Sequence, residues 1–253
     1  MAFRPRFDRP IAHRGLHDRA AGVIENSRSA FEAAIARGFT IECDLQLSSD
    51  GEAIVFHDDK LERLTGTAGF LRDRTAEELT ALPLLESATG DRPQRFQEFL
   101  DQVAGRTLLQ IELKRQRDRR STRQLATGAA AALATYQGPV TVESFDPDML
   151  VAIRDCGYAG PLGIITQGYN DEASEKQLDN GDRARLRHLL HWPRTRFDFI
   201  SCGFRDLGLP AVRLFRALGV PVTAWTVRSP EEARIARAGA DQIVFEGFDP
   251  DSA

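Results

Sequence analysis

The strongest constraint on this chain is an alternation that runs from residue 10 to residue 246 with few breaks. Short apolar runs fall at roughly 10–14, 40–45, 107–114, 139–144, 161–166, 197–202, 220–227 and 241–246, and amphipathic stretches of helical period occupy most of the intervals. A strand that leads through a helix to another strand implies a crossover and parallel pairing, and eight such units in 253 residues suit a closed (β/α)8 TIM barrel. Local signals agree. Ser27 can cap the helix that follows it, Ala30, Phe31, Ala34 and Ile35 form one apolar stripe, and Gly38 is a natural stop. Residues 60–94 break the rhythm: they hold one short helical segment, Ala76 to Ala81, and no strong strand, and they read as an excursion between barrel units. Residues 171–192 are polar and irregular, with a helix expected over the second half. The expectation is a single domain over 1–253, with a small insertion after the hairpin of the second strand.

Residues 40–59 carry the densest chemistry. Glu42 and Asp44 are two apart, so in a strand both carboxylates leave one face while Cys43 points the other way. Asp50-Gly51 between alternating apolar runs is a hairpin signal. With that dipeptide as the turn, partner numbers sum to 101 and Asp44 lies opposite His57. Glu112 and Lys114 repeat the two-residue spacing in the third run.

In a parallel barrel the working face is the C-terminal end of the strands, and His13, Arg14, Glu42, Asp44, Glu112, Lys114, Ser144 and Trp225 all fall at or near those ends. Glu42, Asp44 and Glu112 offer three hard oxygen ligands suited to Mg²⁺ or Ca²⁺; the competing reading is ion pairing with Lys114 or Arg14. Arg14 and Lys114 supply positive charge for an anion such as a phosphate ester. Histidine is the side chain suited to proton exchange at neutral pH, so His13 and His57 can serve an entering and a leaving oxygen. Trp225 is either a substrate wall or packing. His17, His188 and His191 show no partner and read as surface residues.

Bulk properties set limits. A net charge of −4 argues against a surface given over wholly to nucleic acid or membrane. The run KRQRDRRSTR at 114–123 is the one basic patch, placed to steer anions toward the mouth, and reads otherwise as a solvated loop. Three cysteines without metal-ligand spacing suggest reduced thiols. The first residues lack a signal-peptide pattern, and no window approaches a membrane span. The expectation is a soluble, cytoplasmic protein with a small-molecule substrate, no nucleic acid and no stable membrane anchor, its oligomeric state open.

The motifs HRG at 13–15, EN at 25–26, ECD at 42–44, HDD at 57–59, IELK at 111–114, SFDP at 144–147, WTV at 225–227 and GADQIV at 239–244 resemble, in that order, the glycerophosphodiester phosphodiesterase family. The resemblance implies a TIM-barrel enzyme that uses a divalent cation to cleave glycerophosphodiesters to glycerol 3-phosphate and an alcohol. It implies His13 and His57 as the acid/base pair, Glu42, Asp44 and Glu112 as metal ligands, Arg14 and Lys114 as phosphate contacts, and 60–94 as the family's inserted segment. Which histidine starts as base stays open. The chain departs from the family at Ile24, Ser27, Glu143 and Phe245-Glu246. A second reading is a lysophospholipase D-type enzyme at a membrane surface. It needs an apolar rim on the insertion, for which Phe70, Leu71, Leu82, Leu84 and Leu85 are candidates.

Overall fold

The computed structural model describes residues 5–170, 172, 174 and 178–252, and ten strands among them join one sheet. They are β1 (Ile11–Ala12), β2 (Thr40–Leu47), β3 (Ala53–Val55), β4 (Gln94–Arg95), β5 (Leu109–Leu113), β6 (Val140–Ser144), β7 (Leu162–Thr166), β8 (Phe199–Gly203), β9 (Val222–Val227) and β10 (Gln242–Phe245). Eight of them run in parallel in the order β1-β10-β9-β8-β7-β6-β5-β2, and pairing of β1 with β2 closes the cylinder. Each of the eight expected apolar runs overlaps one of these barrel strands, with β2 and β8 running past the expected end. The architecture is a TIM barrel.

The helices form for the reasons their sequences give. Ser27 Oγ accepts the Ala30 amide (3.3 Å) at the start of the helix Arg28–Ala36, which buries Ala30, Phe31 and Ala34. The helix expected within 171–192 is Asn180–Arg187; part of the preceding stretch lies outside the described residues. Of the histidines read as surface residues, His191 is instead buried. Its Nδ1 lies 3.2 Å from Thr195 Oγ1, its ring packs against Phe197, and burial lowers its pKa to about 4.

One end of the cylinder is plugged by Phe7, Ile11, Phe199 and Val244. Gly163 lets the Phe199 ring enter, since a Cβ there would lie 2.2 Å from the ring's Cζ. Further up, the inward positions are polar. Register sets Asp44 beside Glu112 and Glu112 beside Glu143, three carboxylates in one row on β2, β5 and β6. Neighbouring strands are about 4.8 Å apart, so this row concentrates negative charge near the open end.

The hairpin β2–β3 forms, with its register one residue away from expectation. Leu45 pairs with Val55, Gln46 with Ile54 and Leu47 with Ala53, so partner numbers sum to 100. The reason is the loop. Ser48 and Glu52 close it, with the Ser48 amide donating to the Glu52 carbonyl and the Glu52 amide to Ser48 Oγ. Three residues, not two, lie between them, and Gly51 takes φ 91°. Asp44 therefore faces Phe56, whose amide donates to the Asp44 carbonyl. His57 reaches the mouth because the chain leaves the ladder after Val55, with the His57 carbonyl held by Gln46 Nε2 (2.8 Å).

β2 outlasts its neighbours. It pairs with β1 at residues 40–41 and with β5 at 41–45, and its last residues carry β3, which in turn carries β4. On this extension sits the excursion, with the helix Ala76–Ala81 where it was expected and a short helix Glu62–Thr65 besides. It has a core of its own: Ile24, Ile54, Phe56, Leu61, Leu64, Leu71, Ala76, Leu79 and Leu84. The expected apolar rim is thus consumed internally. Leu71 and Leu84 are buried, Leu82 packs against the cluster, Phe70 lies under the Arg72 guanidinium at 3.9 Å, and Leu85 alone of the five is exposed.

Candidate active site

At the open end the turn after β1 is shaped to present its backbone as well as its side chains. Arg14 and Asn26 both hold positive φ (57° and 52°), unusual for residues with a Cβ. The Asn26 amide donates to the Arg14 carbonyl (2.9 Å). Gly15 packs its α-carbon against Ala30, where a Cβ would approach to 2.9 Å. The result aims the Arg14 amide at Glu42 Oε2 (2.8 Å) and brings Asn26 Nδ2 to Asp44 Oδ2 (2.8 Å).

Glu42, Asp44 and Glu112 are buried and converge, each offering an oxygen within 4.8 Å of the others. Lys114 Nζ lies 2.8 Å from Asp44 Oδ1 and 2.9 Å from Glu112 Oε2, and Arg14 Nε lies 3.4 Å from Asp44 Oδ2. Burial, with Asp44 and Glu112 alongside, pushes the Glu42 carboxyl well above the usual carboxylate range. Burial also raises Glu112. At Asp44 burial is outweighed by Lys114, His57 and Arg14, which hold the carboxyl below its usual range. Two cations already pair with this cluster, yet Glu42 still resists ionisation. Such a set of hard, under-compensated oxygens fits a divalent cation.

The histidines stand by different carboxylates, His13 by Glu42 and His57 by Asp44 and Glu112. His13 follows β1; its Nδ1 lies 2.5 Å from Glu246 Oε2 and its Nε2 4.0 Å from Glu42 Oε2. Burial lowers its pKa against the opposing pull of Glu246. Glu246 follows β10, the neighbour of β1 in the closed barrel, and also meets Arg228 Nε (2.7 Å) and His17 Nε2 (3.7 Å). Burial would raise its carboxyl, but His13 and His17 hold it far down. His57 follows β3, just ahead of the excursion, and its Nδ1 lies 2.7 Å from Asp58 Oδ1. With each Nδ1 as donor to its carboxylate, both Nε2 atoms are left for chemistry.

A cavity of about 590 Å³ opens beside His57, Glu112 and Lys114, with Phe145 and Tyr169 on its wall. Trp225 stands behind that wall: its ring meets Phe145 edge-to-face at 5.4 Å and its Nε1 donates to the Ser201 carbonyl (3.0 Å). Seven of the eight expected site residues thus gather around the carboxylates, and Trp225 supports the cavity from outside.

Sequence reasoning passed over Glu246, Asp58 and Phe145 as site residues, although the latter two lie inside quoted motifs. A carboxylate directly after the last strand, next to the first strand in any closed barrel, was the available signal for Glu246.

Comparison with known proteins bears on this arrangement. Residues 13–249 match the model of the glycerophosphoryl diester phosphodiesterase family. The chain belongs to that family. It is an enzyme, a hydrolase of glycerophosphodiesters. Among relatives, the Bacillus subtilis protein YhdW is 25% identical over 242 residues, covering 93% of each chain. A glycerophosphodiester phosphodiesterase of Caldanaerobacter subterraneus is 36% identical over 110 residues, 41% of this chain and 44% of that one. In fold the chain resembles a phosphodiesterase of Oleispira antarctica solved in complex with the product sn-glycerol-3-phosphate (TM-score 0.76, 20% identity, 96% and 93% of the two chains). It also resembles a glycerophosphodiester phosphodiesterase of Thermotoga maritima (TM-score 0.68, 24% identity, 93% and 92%). Among the described residues no helix is long and apolar enough to cross a membrane.

Proposed function

We propose that this member of the family hydrolyses small glycerophosphodiesters to glycerol 3-phosphate and an alcohol, with Glu42, Asp44 and Glu112 holding a divalent cation, Mg²⁺ or Ca²⁺, and His13 and His57 transferring protons. The convergence of the three buried carboxylates between the two carboxylate-held imidazoles is the observation that carries this reading. When bound, the cation would neutralise charge on a phosphate oxygen and lower the pKa of a hydroxyl beside it. Arg14 and Lys114 hold the remaining phosphate charge.

The side chains divide the reaction between them. The cavity lies on the His57 side, so the departing alcohol belongs there and His57 gives it a proton. His13, oriented by Glu246 while desolvation holds its pKa down, takes the proton of the attacking hydroxyl. If the attacking hydroxyl is that of the glycerol, the first product is a cyclic phosphate, and water opens it with the two histidines in reversed roles. Phe145, backed by Trp225, would form the wall met by the alcohol. The product in the Oleispira structure supports glycerol 3-phosphate as the retained half. The lysolipid reading lacks its apolar rim, because four of the five side chains proposed for it are buried or packed over.

Release of glycerol 3-phosphate from glycerophosphocholine, measured with and without EDTA, tests the proposal. Chelation is expected to lower the rate about 10³-fold or more, with recovery on adding Mg²⁺ or Ca²⁺. Full activity in EDTA would refute the metal's role. A long-chain lysolipid cleaved faster than glycerophosphocholine would refute the choice of substrate.

A further inference from the structure

Of the charged side chains that the excursion sends back to the barrel, Arg63 reaches toward the site, and the reaction above makes no use of it. Arg63 lies in the single turn Glu62–Thr65, whose Leu64 and preceding Leu61 are buried in the excursion's core while the guanidinium points away from it. That guanidinium grips two carboxylates at once. Nη1 and Nη2 donate to Glu25 (2.6 and 2.8 Å), and Nε and Nη2 donate to Asp58 (2.5 and 2.9 Å).

Each carboxylate continues to a working residue. Asp58 Oδ1 meets His57 Nδ1 at 2.7 Å, and Glu25 Oε1 accepts from Arg14 Nη1 at 2.6 Å. The chain His57–Asp58–Arg63–Glu25–Arg14 is therefore unbroken, and it spans the mouth from the excursion to the turn after β1. An isolated exposed ion pair contributes little. Here the geometry is a paired fork on both sides, with Glu25 and Asp58 largely shielded (13% and 21% exposed), and only a guanidinium offers enough fixed donors to hold both carboxylates.

We propose that Arg63 is a positioning residue that sets the distance and orientation of His57 relative to Arg14, so that proton donor and phosphate contact are fixed together from outside the barrel. This rests on the roles given to His57 and Arg14 above.

The two halves of the chain can be cut separately in the full-length protein, with glycerophosphocholine as substrate and the divalent cation saturating. Asp58→Asn frees His57 and is expected to lower kcat about 10-fold or more with KM little changed, whereas Glu25→Gln frees Arg14 and is expected to raise KM several-fold with less effect on kcat. Arg63→Ala should show both effects, and its kcat loss should vanish in a His57→Ala background. Free guanidinium should restore part of the Arg63→Ala activity, and Arg63→Lys should restore little because an ammonium has no fork. Arg63→Ala at parental kcat and KM, or a kcat loss that multiplies unchanged with that of His57→Ala, would overturn the inference. Should Arg63→Ala fail to fold, the Arg63→Lys, Asp58→Asn and Glu25→Gln comparison decides alone: no split between kcat and KM overturns it. Parental activity in His57→Ala itself would refute the histidine's role rather than that of Arg63.

Discussion

The two sides of the mouth hold equivalent imidazoles by unequal means. His13 is 14% exposed and leans on Glu246, with both residues anchored on adjacent strands of the closed barrel. His57 is 32% exposed and leans on Asp58, which is itself steadied by an arginine from an appended lobe. A side chain held by a carboxylate on the next barrel strand is as steady as that pair of strands. One fixed by a lobe moves with the lobe, so under the proposed reaction the side assigned to the variable alcohol has the adjustable mount, and the side assigned to the constant glycerol has the rigid one.

The sharpest way to break this comparison is to remove each imidazole. His13→Ala and His57→Ala are each expected to lower kcat on glycerophosphocholine by about 10²- to 10⁴-fold. A diester whose leaving group is p-nitrophenol needs no proton at departure, so release of p-nitrophenol in the first turnover should be restored in His57→Ala and not in His13→Ala. Equal restoration in both would erase the assigned asymmetry. Next in size is Glu246→Gln, which keeps the shape and removes the charge behind His13. A loss of about 10- to 100-fold in kcat is expected, without the p-nitrophenyl rescue.

Leu71→Ala tests the lobe as a mount. A cavity in its small core should destabilise it by about 2–4 kcal/mol. Hydrogen exchange is expected to rise in 56–95 and stay unchanged in the barrel strands, with kcat on glycerophosphocholine falling more than on the p-nitrophenyl diester. Uniform exchange across the chain would mean that lobe and barrel open as one unit.

The smallest effect belongs to Glu143, next to Glu112 in the carboxylate row. Burial raises its pKa to about 8, and it accepts a hydrogen bond from Gln110 Nε2 (2.9 Å). Its folded pKa lies above its unfolded one, so the folded state holds the extra proton and stability falls as pH rises from about 4.5 toward 8. Glu143→Gln removes that slope and should stabilise the protein by about 1–3 kcal/mol at pH 8, with little change at pH 4.5, read from thermal melts.

The barrel was legible because it is written locally. Each strand is an apolar run, each helix carries its own stripe and cap, and the spacing of Glu42 with Asp44 and of Glu112 with Lys114 survives any detail of packing. The hairpin register was not, since a serine hydroxyl that closes the loop one residue early is a side-chain event that the Asp50-Gly51 signal does not report. Asp58 stands next to His57, but the long-range contacts behind the histidines were hidden for a different reason. Glu246 is 233 residues from His13, Arg63 is 38 from Glu25, and no periodicity relates residues joined only by the folded chain. The apolar positions of 60–94 were visible, but a sequence does not say whether such residues face solvent or one another.

The overrun of β2 has a further consequence. One stave of the cask stands taller than the rest, and the hairpin that leads into the lobe springs from its tip, past the last residue paired with β5. Length can be added, trimmed or exchanged there without loosening a hoop. The mount of His57 is open to revision while Glu42 and Asp44, lower on the same strand, remain where the cylinder put them.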